Sequence, residues 1–296
     1  MIIIPGPSSV NLGKKIASEL GVQMAPVEYR VFPDGESYIK LTSSVEGKNV
    51  AIVQTTATDP DSKLMQLYLI ASTARDFNSK RIVAVVPYLA YSRQDKRFLD
   101  MEALSIDVVF RLLKASGVTD LIVVDVHKES SLKDMESKHS INIHNLSAIP
   151  SLASYMKTIG FEGAYSLSPD KGAINLAETA SRILGGGYNY FEKRRDRKTG
   201  AIEMEAKNLD ISGKKAVVFD DIVSSGGTMV KAVEALVSQG AKQVAAACTH
   251  ALFMDGAADK IRRAGADPII VSDTIETSYS KVSVAGVIAN KLREML

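Results

Sequence analysis

The chain has little cysteine, little net charge and no long apolar run, and each of these absences excludes a class of protein. Cys248 is the single cysteine, so no internal disulfide can form, which is typical of proteins from reducing compartments. It lies in an apolar run, VAAACTHALF, and we interpret it as a core residue. Lysine and arginine number 36 against 34 aspartate and glutamate residues, a balance that provides no broad electrostatic footprint for nucleic acid or an anionic membrane.

The first residues, MIIIPG, include no basic leader, and their apolar stretch is far too short for a signal peptide or a membrane span. We therefore expect a cytoplasmic protein. Of the 296 residues, 46% are hydrophobic and 24% are charged, which suffices for true cores and for a solvated surface. This length favours two medium-sized domains over one large domain.

Short apolar runs rich in β-formers alternate with segments whose apolar residues recur at helical spacing. The apolar runs are Ile2–Ile4, Val50–Gln54, Arg81–Pro87, Leu121–Val126, Ala216–Phe219, Gln243–Thr249 and Pro268–Val271. The helical segments are Ser9–Leu20, Lys63–Phe77, Ser105–Ala115, Ile174–Leu184 and Thr228–Gln239. The alternation predicts an α/β fold with mostly parallel sheets flanked by helices.

The periodic pattern weakens around Ser140–Ser151, and we place a domain boundary there. The predicted domains are residues 1–143 and 144–282, followed by an amphipathic helix over residues 283–296. A faint internal repeat supports two similar halves, because KNVAIVQTTAT and KRIVAVVPYLAYS in the first resemble GKKAVVFDDIVSSGGT and KQVAAACTHALFM in the second. The match is one of pattern rather than identity, which independent α/β units could also produce.

The most informative stretch is AVVFDDIVSSGGT, residues 216–228, where a buried strand leads into two acids, a loop of small residues and a helix. Such a loop lets backbone N–H groups converge on a phosphate at a helix N-terminus. Asp220 and Asp221 can accept hydrogen bonds from sugar hydroxyls or hold a cation. A phosphorylated sugar satisfies both halves of the pattern; the alternative is that the acids and serines merely cap a helix.

Two further stretches lie in the first half, and the second of them suggests a nucleotide. FPDGE, residues 32–36, is an acid-rich turn, unremarkable by itself. VPYLAYSRQDKRF, residues 86–98, is a strand end that leads into a loop dense in planar and cationic donors. Guanidinium groups stack on bases and bind phosphates, so this loop suits a nucleotide, with a solvated basic loop as the alternative.

A further pair of motifs suits a hard cation. His127 ends the motif DVH at a predicted strand end, and Asp170 lies in SPDKG after another short apolar segment. Both side chains could contribute to a cation site shared with phosphates and waters. A lone histidine at a strand end is more often structural, and that alternative stays open for His127.

Seven motifs succeed one another from Phe32 to Ile275: FPDGE, SRQDKRF, DVH, SPDKG, KRRDR, DDIVSSGGT and SDTI. In this order they resemble the ribose-phosphate pyrophosphokinases across nearly the whole chain, whereas ordinary phosphoribosyltransferases share only the DDIVSSGGT type of loop. The resemblance implies that the β,γ-diphosphoryl group of ATP is transferred to the C1 hydroxyl of ribose 5-phosphate, giving phosphoribosyl pyrophosphate and AMP.

The resemblance also implies roles for individual residues. ATP binding falls on Phe32, Asp34, Gly35, Glu36, Arg93 and Gln94. The catalytic pair is Lys193 and Arg195, and Mg²⁺ is bound by His127 and Asp170. Ribose 5-phosphate binding falls on Arg195, Asp220, Asp221, Ser224, Ser225, Gly226, Gly227 and Thr228. The chain departs from the family pattern, which often has an acid, an alanine and a proline, at Ser224, Lys171 and Glu276.

By the same resemblance, two similar phosphoribosyltransferase-type domains should be related by a pseudo-twofold axis, with the active site between them and completed by a neighbouring subunit. The first domain should bind ATP and the second ribose 5-phosphate, and the helix over residues 283–296 should pack on the first domain. The expected partners are ATP, ribose 5-phosphate and further copies of the chain in a dimer or larger homo-oligomer, with no nucleic acid and no membrane. Two rival functions remain: a phosphoribosyltransferase, which would ignore ATP, and a catalytically silent regulatory relative. No residue is nominated as general base.

Overall fold

The fold is that of a computed structural model, which describes residues 1–126, 128–195, 202–205 and 211–295. For residues 192–195 and 202–205 only the backbone is described. The chain forms two compact units, Met1–Ser147 together with Val284–Leu296, and Ala148–Ser283. Each unit has its own core of buried apolar side chains.

Helices and strands mostly alternate along the described residues, apart from some runs of consecutive strands. The helices are α1 Val10–Leu20, α2 Pro60–Asp76, α3 Ser105–Ala115, α4 Glu129–His139, α5 Ile149–Met156, α6 Ile174–Leu184, α7 Gly227–Ser238, α8 Ala257–Arg263 and α9 Ala285–Glu294. The strands are β1 Ile2–Pro5, β2 Val27–Val31, β3 Ser37–Leu41, β4 Asn49–Val53, β5 Arg81–Val86, β6 Asp120–Val124, β7 Asn142–Leu146, β8 Tyr165–Ser168, β9 Tyr188–Tyr190, β10 Glu192–Arg195, β11 Ile202–Glu205, β12 Lys215–Val223, β13 Gln243–Ala251, β14 Ala266–Ser272 and β15 Ser280–Val282. Each of the seven apolar runs predicted as strands overlaps a strand, and six agree with it to within two residues. The exception is Ala216–Phe219, because β12 continues four residues further, to Val223.

The first unit is built on a parallel five-stranded sheet in the order β1-β4-β5-β6-β7. Every residue of β6 is buried, so both faces of that strand are covered. Parallel sheets need such double cover because their crossover helices pack on the faces. The terminal helix α9 packs against α1 and buries Ile288 and Leu292 in this unit. The predicted α/β class with mostly parallel sheets is confirmed.

An antiparallel hairpin of β2 and β3 also belongs to the first unit. Its inner face carries Tyr29, whose hydroxyl accepts a hydrogen bond from Gln66 Nε2 at 3.1 Å, and Ile39, which packs on the core. Because side chains alternate along a strand, Arg30 and Tyr38 lie on the other face. The sequence predicts only a turn after a short extended segment here, so the second strand of the hairpin was missed.

The second unit is built on a parallel six-stranded sheet in the order β15-β14-β13-β12-β8-β9. From β8 the sheet continues to β9 on one side, and from β12 it continues to β13 on the other. Neighbouring strands whose connections run to opposite sides leave a crevice outside their carboxyl ends, and ligands of open α/β sheets bind there. Cys248 on β13 is buried, as predicted.

The boundary between the units follows Ser147, four residues beyond the sequence-based boundary after residue 143. The difference arises because β7 pairs with β6 and completes the first sheet before the chain enters the second unit. The sequence pattern around Ser140–Ser151 showed no strand, since β7 is half-exposed and lacks an apolar run. Among the described residues, none of the helices combines the length and apolar character needed to cross a bilayer.

Arg81 joins the sheet of the first unit to the end of the chain. Its Nε and Nη2 donate to the two carboxylate oxygens of Asp120 at 2.8 and 2.6 Å, and its Nη1 donates to the backbone oxygen of Met295 at 3.0 Å. We expect Arg81→Ala to lower the free energy of unfolding by about 3 kcal/mol, because it leaves the buried Asp120 carboxylate without its cation. Urea unfolding followed by circular dichroism measures the change.

The control is Lys40→Ala, which breaks the pair between Lys40 and Glu28, exposed on both sides, and should cost at most about 1 kcal/mol. Overlapping unfolding curves for the two variants would show that Arg81 adds no more than a surface pair.

Candidate active site

The loop after β12 in the second unit has the shape of an anion site. Gly226 is the N-cap of α7 and has a left-handed backbone with φ of 79°. The first N–H groups of a helix lack intrahelical partners and favour an anion, as does the helix dipole. Ser225 and Gly227 are exposed at the rim of this loop, whereas Gly226 is buried beneath it. Thr228 follows in the first turn of α7.

The segment after β13 supports this loop from behind. Leu252 N and Phe253 N both donate to Val223 O, at 3.0 and 3.1 Å, and Met254 N donates to Ser224 O at 3.0 Å. A Cβ added at Gly226 would lie 3.0 Å from the Cβ of Ala257. Sequence analysis missed this support, because it is made by backbone groups about 30 residues further along the chain.

Three acidic residues, Asp170, Asp220 and Asp221, lie near the carboxyl ends of β8 and β12. Burial raises the pKa of Asp220 well above its ordinary value, and the charges of Asp221 and Asp170 raise it further. Asp221 N donates to Asp220 Oδ1 at 3.0 Å, and Gly172 N donates to Asp170 Oδ1 at 2.9 Å. Because β8 pairs with β12, the loop that carries Asp170 and the acids of β12 come to the same crevice.

The raised pKa of Asp220 predicts that this acid lowers the stability of the ligand-free protein at neutral pH, although it is expected to contribute to ligand binding. A raised folded-state pKa means that the folded protein holds the proton more tightly, so the cost of ionisation is absent below the unfolded pKa of about 3.9 and grows as pH rises through the folded pKa. We therefore expect Asp220→Asn to raise the melting temperature of the ligand-free protein at pH 7–8, and to weaken ribose 5-phosphate binding.

Scanning fluorimetry between pH 4 and 8 measures the difference, which should shrink towards pH 4. Glu234→Gln, at an exposed position of α7, is the control and should not raise the melting temperature. A stabilisation of Asp220→Asn that is equal at both ends of this range would contradict the assigned cause.

In the first unit, the turn Phe32–Glu36 closes the β2–β3 hairpin. Phe32 N donates to Glu36 O at 2.8 Å and Gly35 N donates to Phe32 O at 2.9 Å, with Gly35 in a left-handed conformation. Asp34 Oδ1 accepts a hydrogen bond from Glu36 N at 3.1 Å. The guanidinium of Arg30 lies 5.0 Å from the ring centroid of Phe32, so one face of that ring is covered by a cation.

The loop after β5 carries Arg93 and Gln94. Arg93 is exposed, and Gln94 N donates to Tyr91 O at 3.0 Å. Asp95 Oδ2 accepts hydrogen bonds from Lys128 Nζ at 2.7 Å and from Ser131 Oγ at 2.5 Å, which ties this loop to the start of α4. The two bonds lower the pKa of Asp95, so the tie is ionised at neutral pH.

Three predicted site residues remain: His127, Lys193 and Arg195. His127 lies outside the described residues. Lys193 and Arg195 lie in β10, whose backbone pairs with β11 in an antiparallel register that sets Lys193 opposite Met204 and Arg195 opposite Ile202. Among the described residues no group of three or more histidine, cysteine, aspartate or glutamate side chains is arranged to hold a metal ion.

Comparisons with known proteins agree over the length of the chain. A family model described as the N-terminal domain of ribose phosphate pyrophosphokinase matches residues 1–117, and one described as a phosphoribosyl transferase domain matches residues 166–286. The ribose-phosphate pyrophosphokinase of Saccharolobus solfataricus is 40% identical over 94% of both chains. That of Methanopyrus kandleri is 36% identical over 100% of this chain and 99% of its own.

A solved structure agrees as well. The phosphoribosylpyrophosphate synthetase of Mycobacterium smegmatis superposes with a TM-score of 0.86 at 26% identity, covering 99% of this chain and 98% of that one. The predicted resemblance and the predicted fold of two domains are therefore confirmed. The chain belongs to the ribose-phosphate pyrophosphokinase family.

Proposed function

We propose that this chain transfers the β,γ-diphosphoryl group of ATP to the C1 hydroxyl of ribose 5-phosphate, forming phosphoribosyl pyrophosphate and AMP. Its relatives named ribose-phosphate pyrophosphokinase match it from end to end. The observation that carries the proposal is the crevice of the second unit, where a loop at the N-terminus of α7 offers N–H groups near the adjacent acids Asp220 and Asp221. N–H groups suit the 5-phosphate and carboxylates suit the sugar hydroxyls.

The residues divide between two substrates. In the second unit, the loop 224–228 would bind the phosphate of ribose 5-phosphate, with Asp220 and Asp221 accepting hydrogen bonds from the ribose hydroxyls. In the first unit, Phe32, Arg93 and Gln94 would bind ATP, together with the turn residues Asp34, Gly35 and Glu36. The exposed ring of Phe32 is suited to stacking on a base, since Arg30 already holds it in place.

The transfer depends on positioning and charge. In-line attack by the C1 oxygen spreads negative charge over the transferred group and the leaving AMP, so donors fixed around these oxygens lower the barrier. Lys193 and Arg195 are proposed as those donors. Oxygen atoms of Asp170 fit a hard cation, and with His127 they would hold Mg²⁺, which when bound neutralises phosphate charge. The charge that Asp170 adds to the Asp220 site is one that a cation would relieve.

The assay for this function incubates the protein with ATP, ribose 5-phosphate and Mg²⁺. Chromatography then measures the AMP released from ATP. AMP should form in a one-to-one ratio with phosphoribosyl pyrophosphate, and should be absent when ribose 5-phosphate is omitted. Intact ATP beside unreacted ribose 5-phosphate would reject the proposal. A phosphoribosyltransferase would be identified if, in a separate reaction supplied with phosphoribosyl pyrophosphate and a nucleobase, the chain formed the nucleotide and released pyrophosphate.

We also propose a homo-oligomer, a dimer or larger, whose mass light scattering would give directly. A cytoplasmic location is proposed on the single, buried Cys248 and on the use of ATP. Fractionation of the source cells tests the location.

A further inference from the structure

Glu102 stands at the centre of the loop that joins β5 to α3. Its Oε2 accepts hydrogen bonds from the backbone N–H groups of Phe98 at 2.6 Å and Leu99 at 3.1 Å. Its Oε1 accepts a hydrogen bond from Gln94 Nε2 at 3.3 Å. The backbone oxygen of the same residue accepts from Arg97 Nε at 2.8 Å. One side chain therefore holds both the backbone of the loop and the amide of Gln94.

The amide of Gln94 is held at both ends. Its Nε2 donates to Glu102, and its Oε1 accepts a hydrogen bond from Ser105 Oγ at 2.7 Å. A primary amide has two N–H donors and two acceptor lone pairs, so one of each stays available for a ligand. The direction in which they point is set by Glu102, because a carboxylate can only accept.

The carboxylate is suited to this task at neutral pH. Hydrogen bonds from Phe98 N and Leu99 N lower the pKa of Glu102 below its ordinary value. The loop also contains two residues other than glycine with left-handed backbones, Tyr91 with φ of 64° and Met101 with φ of 61°. Such conformations persist only where the surrounding contacts over-determine them. The contacts of Glu102 are among those that shape this loop.

We propose that Glu102 is a positioning residue for nucleotide binding, which holds the amide of Gln94 in the orientation that contacts ATP. This inference rests on the proposed function, in which Gln94 belongs to the ATP site. No sequence motif pointed to Glu102, since an acid inside a basic loop reads as a solvated charge. Its role is to orient Gln94; it need not touch the nucleotide itself.

The decisive variant is Glu102→Gln. Glutamine has nearly the same size, and its Oε1 can still accept from the backbone of the loop, but its Nε2 then faces Gln94 Nε2, donor against donor. We expect the Kd of MgATP, measured by calorimetry without ribose 5-phosphate, to rise about tenfold, the worth of one hydrogen bond to a charged group. The KM of ribose 5-phosphate and kcat at saturating ATP should stay within about twofold.

Asp100→Asn is the matched control, because it removes an equal charge from an exposed side chain of the same loop. It should bind MgATP as the wild type does. A double-mutant cycle tests whether Glu102 acts through Gln94: in a Gln94→Ala background, Glu102→Gln should lower MgATP affinity no further. Circular dichroism checks folding; if Glu102→Gln is unfolded, Glu102→Asp, which keeps both acceptors on a shorter stem, replaces it in the cycle.

Three results would overturn the inference: unchanged MgATP affinity in the Glu102 variant, an equal loss in Asp100→Asn, or additive losses in the double variant. The binding measurement requires no turnover. If the wild type bound MgATP but released no AMP, the proposed reaction would fail while the positioning role of Glu102 could still be read from the cycle.

Discussion

Replacing Gly226 by valine should reduce the formation of phosphoribosyl pyrophosphate by about a hundredfold, because it displaces the loop that is proposed to bind the sugar phosphate. Gly226 has φ of 79°, in the left-handed region that β-branched residues avoid. Its added Cβ would also lie 3.0 Å from the Cβ of Ala257, tighter than ordinary contact. The backbone must shift, and a shift of about 1 Å is enough to cause such a loss. Steady-state kinetics measures it.

The loss should include a higher KM for ribose 5-phosphate, with the Kd of MgATP unchanged, because Gly226 and the nucleotide loop belong to different units. Gly213→Val is the control: Gly213 is also left-handed, with φ of 73°, but nothing lies within 4 Å of its Cβ position. It should lose stability and keep activity. Equal kinetic losses in the two variants would attribute the effect to strain in general, and the phosphate loop would lose its special role.

Lys193→Ala should lower kcat by ~10²–10³, the usual loss on removing one donor that stabilises developing charge. The Kd values of MgATP and ribose 5-phosphate should change little, because the proposed contact forms in the transition state. Lys193→Arg retains the cation in a different shape and should recover part of the rate. Rapid-quench measurement of AMP gives the rate of transfer itself.

The control for Lys193→Ala is Lys260→Ala, which removes an exposed lysine from α8 and should leave kcat unchanged. A Lys193→Ala enzyme with wild-type kcat and unchanged substrate affinities would exclude the catalytic role. An enzyme that loses substrate affinity and keeps kcat would move Lys193 from catalysis to ground-state binding.

The parts of the site that could be predicted from the sequence are those formed by residues close together in the chain. DDIVSSGGT predicts a site for a phosphorylated sugar because a strand, two acids, a loop and a helix start follow one another. The structure has this order, with both acids inside β12 rather than after it. In the same way FPDGE predicts its turn. The support behind the loop could not be predicted, since Leu252, Phe253 and Met254 contribute backbone N–H groups, which any residue except proline would supply.

Glu102 shows why the hydrogen bonds that shape the rest of the nucleotide loop could not be predicted from the sequence. The nucleotide loop predicted from sequence covers residues 86–98 and does not include Glu102. Only the folded backbone turns Phe98 N and Leu99 N towards the Glu102 carboxylate. The hairpin of β2 and β3 was not predicted from the sequence, for a related reason. Only one of its faces is apolar, and each strand has five residues, too few for the alternation to stand out from a turn.

The sequence by itself determined the α/β class, the chain positions of the main strands and helices, and the chemical character of each strand end, because these follow from local periodicity and from residue type. The tertiary structure alone decided which strand ends become neighbours. β8 lies beside β12 although about 50 residues separate them, and this pairing brings the charge of Asp170 to bear on Asp220. Strand order is set by long-range packing of the sheet and its helices, for which no local pattern provides a signal.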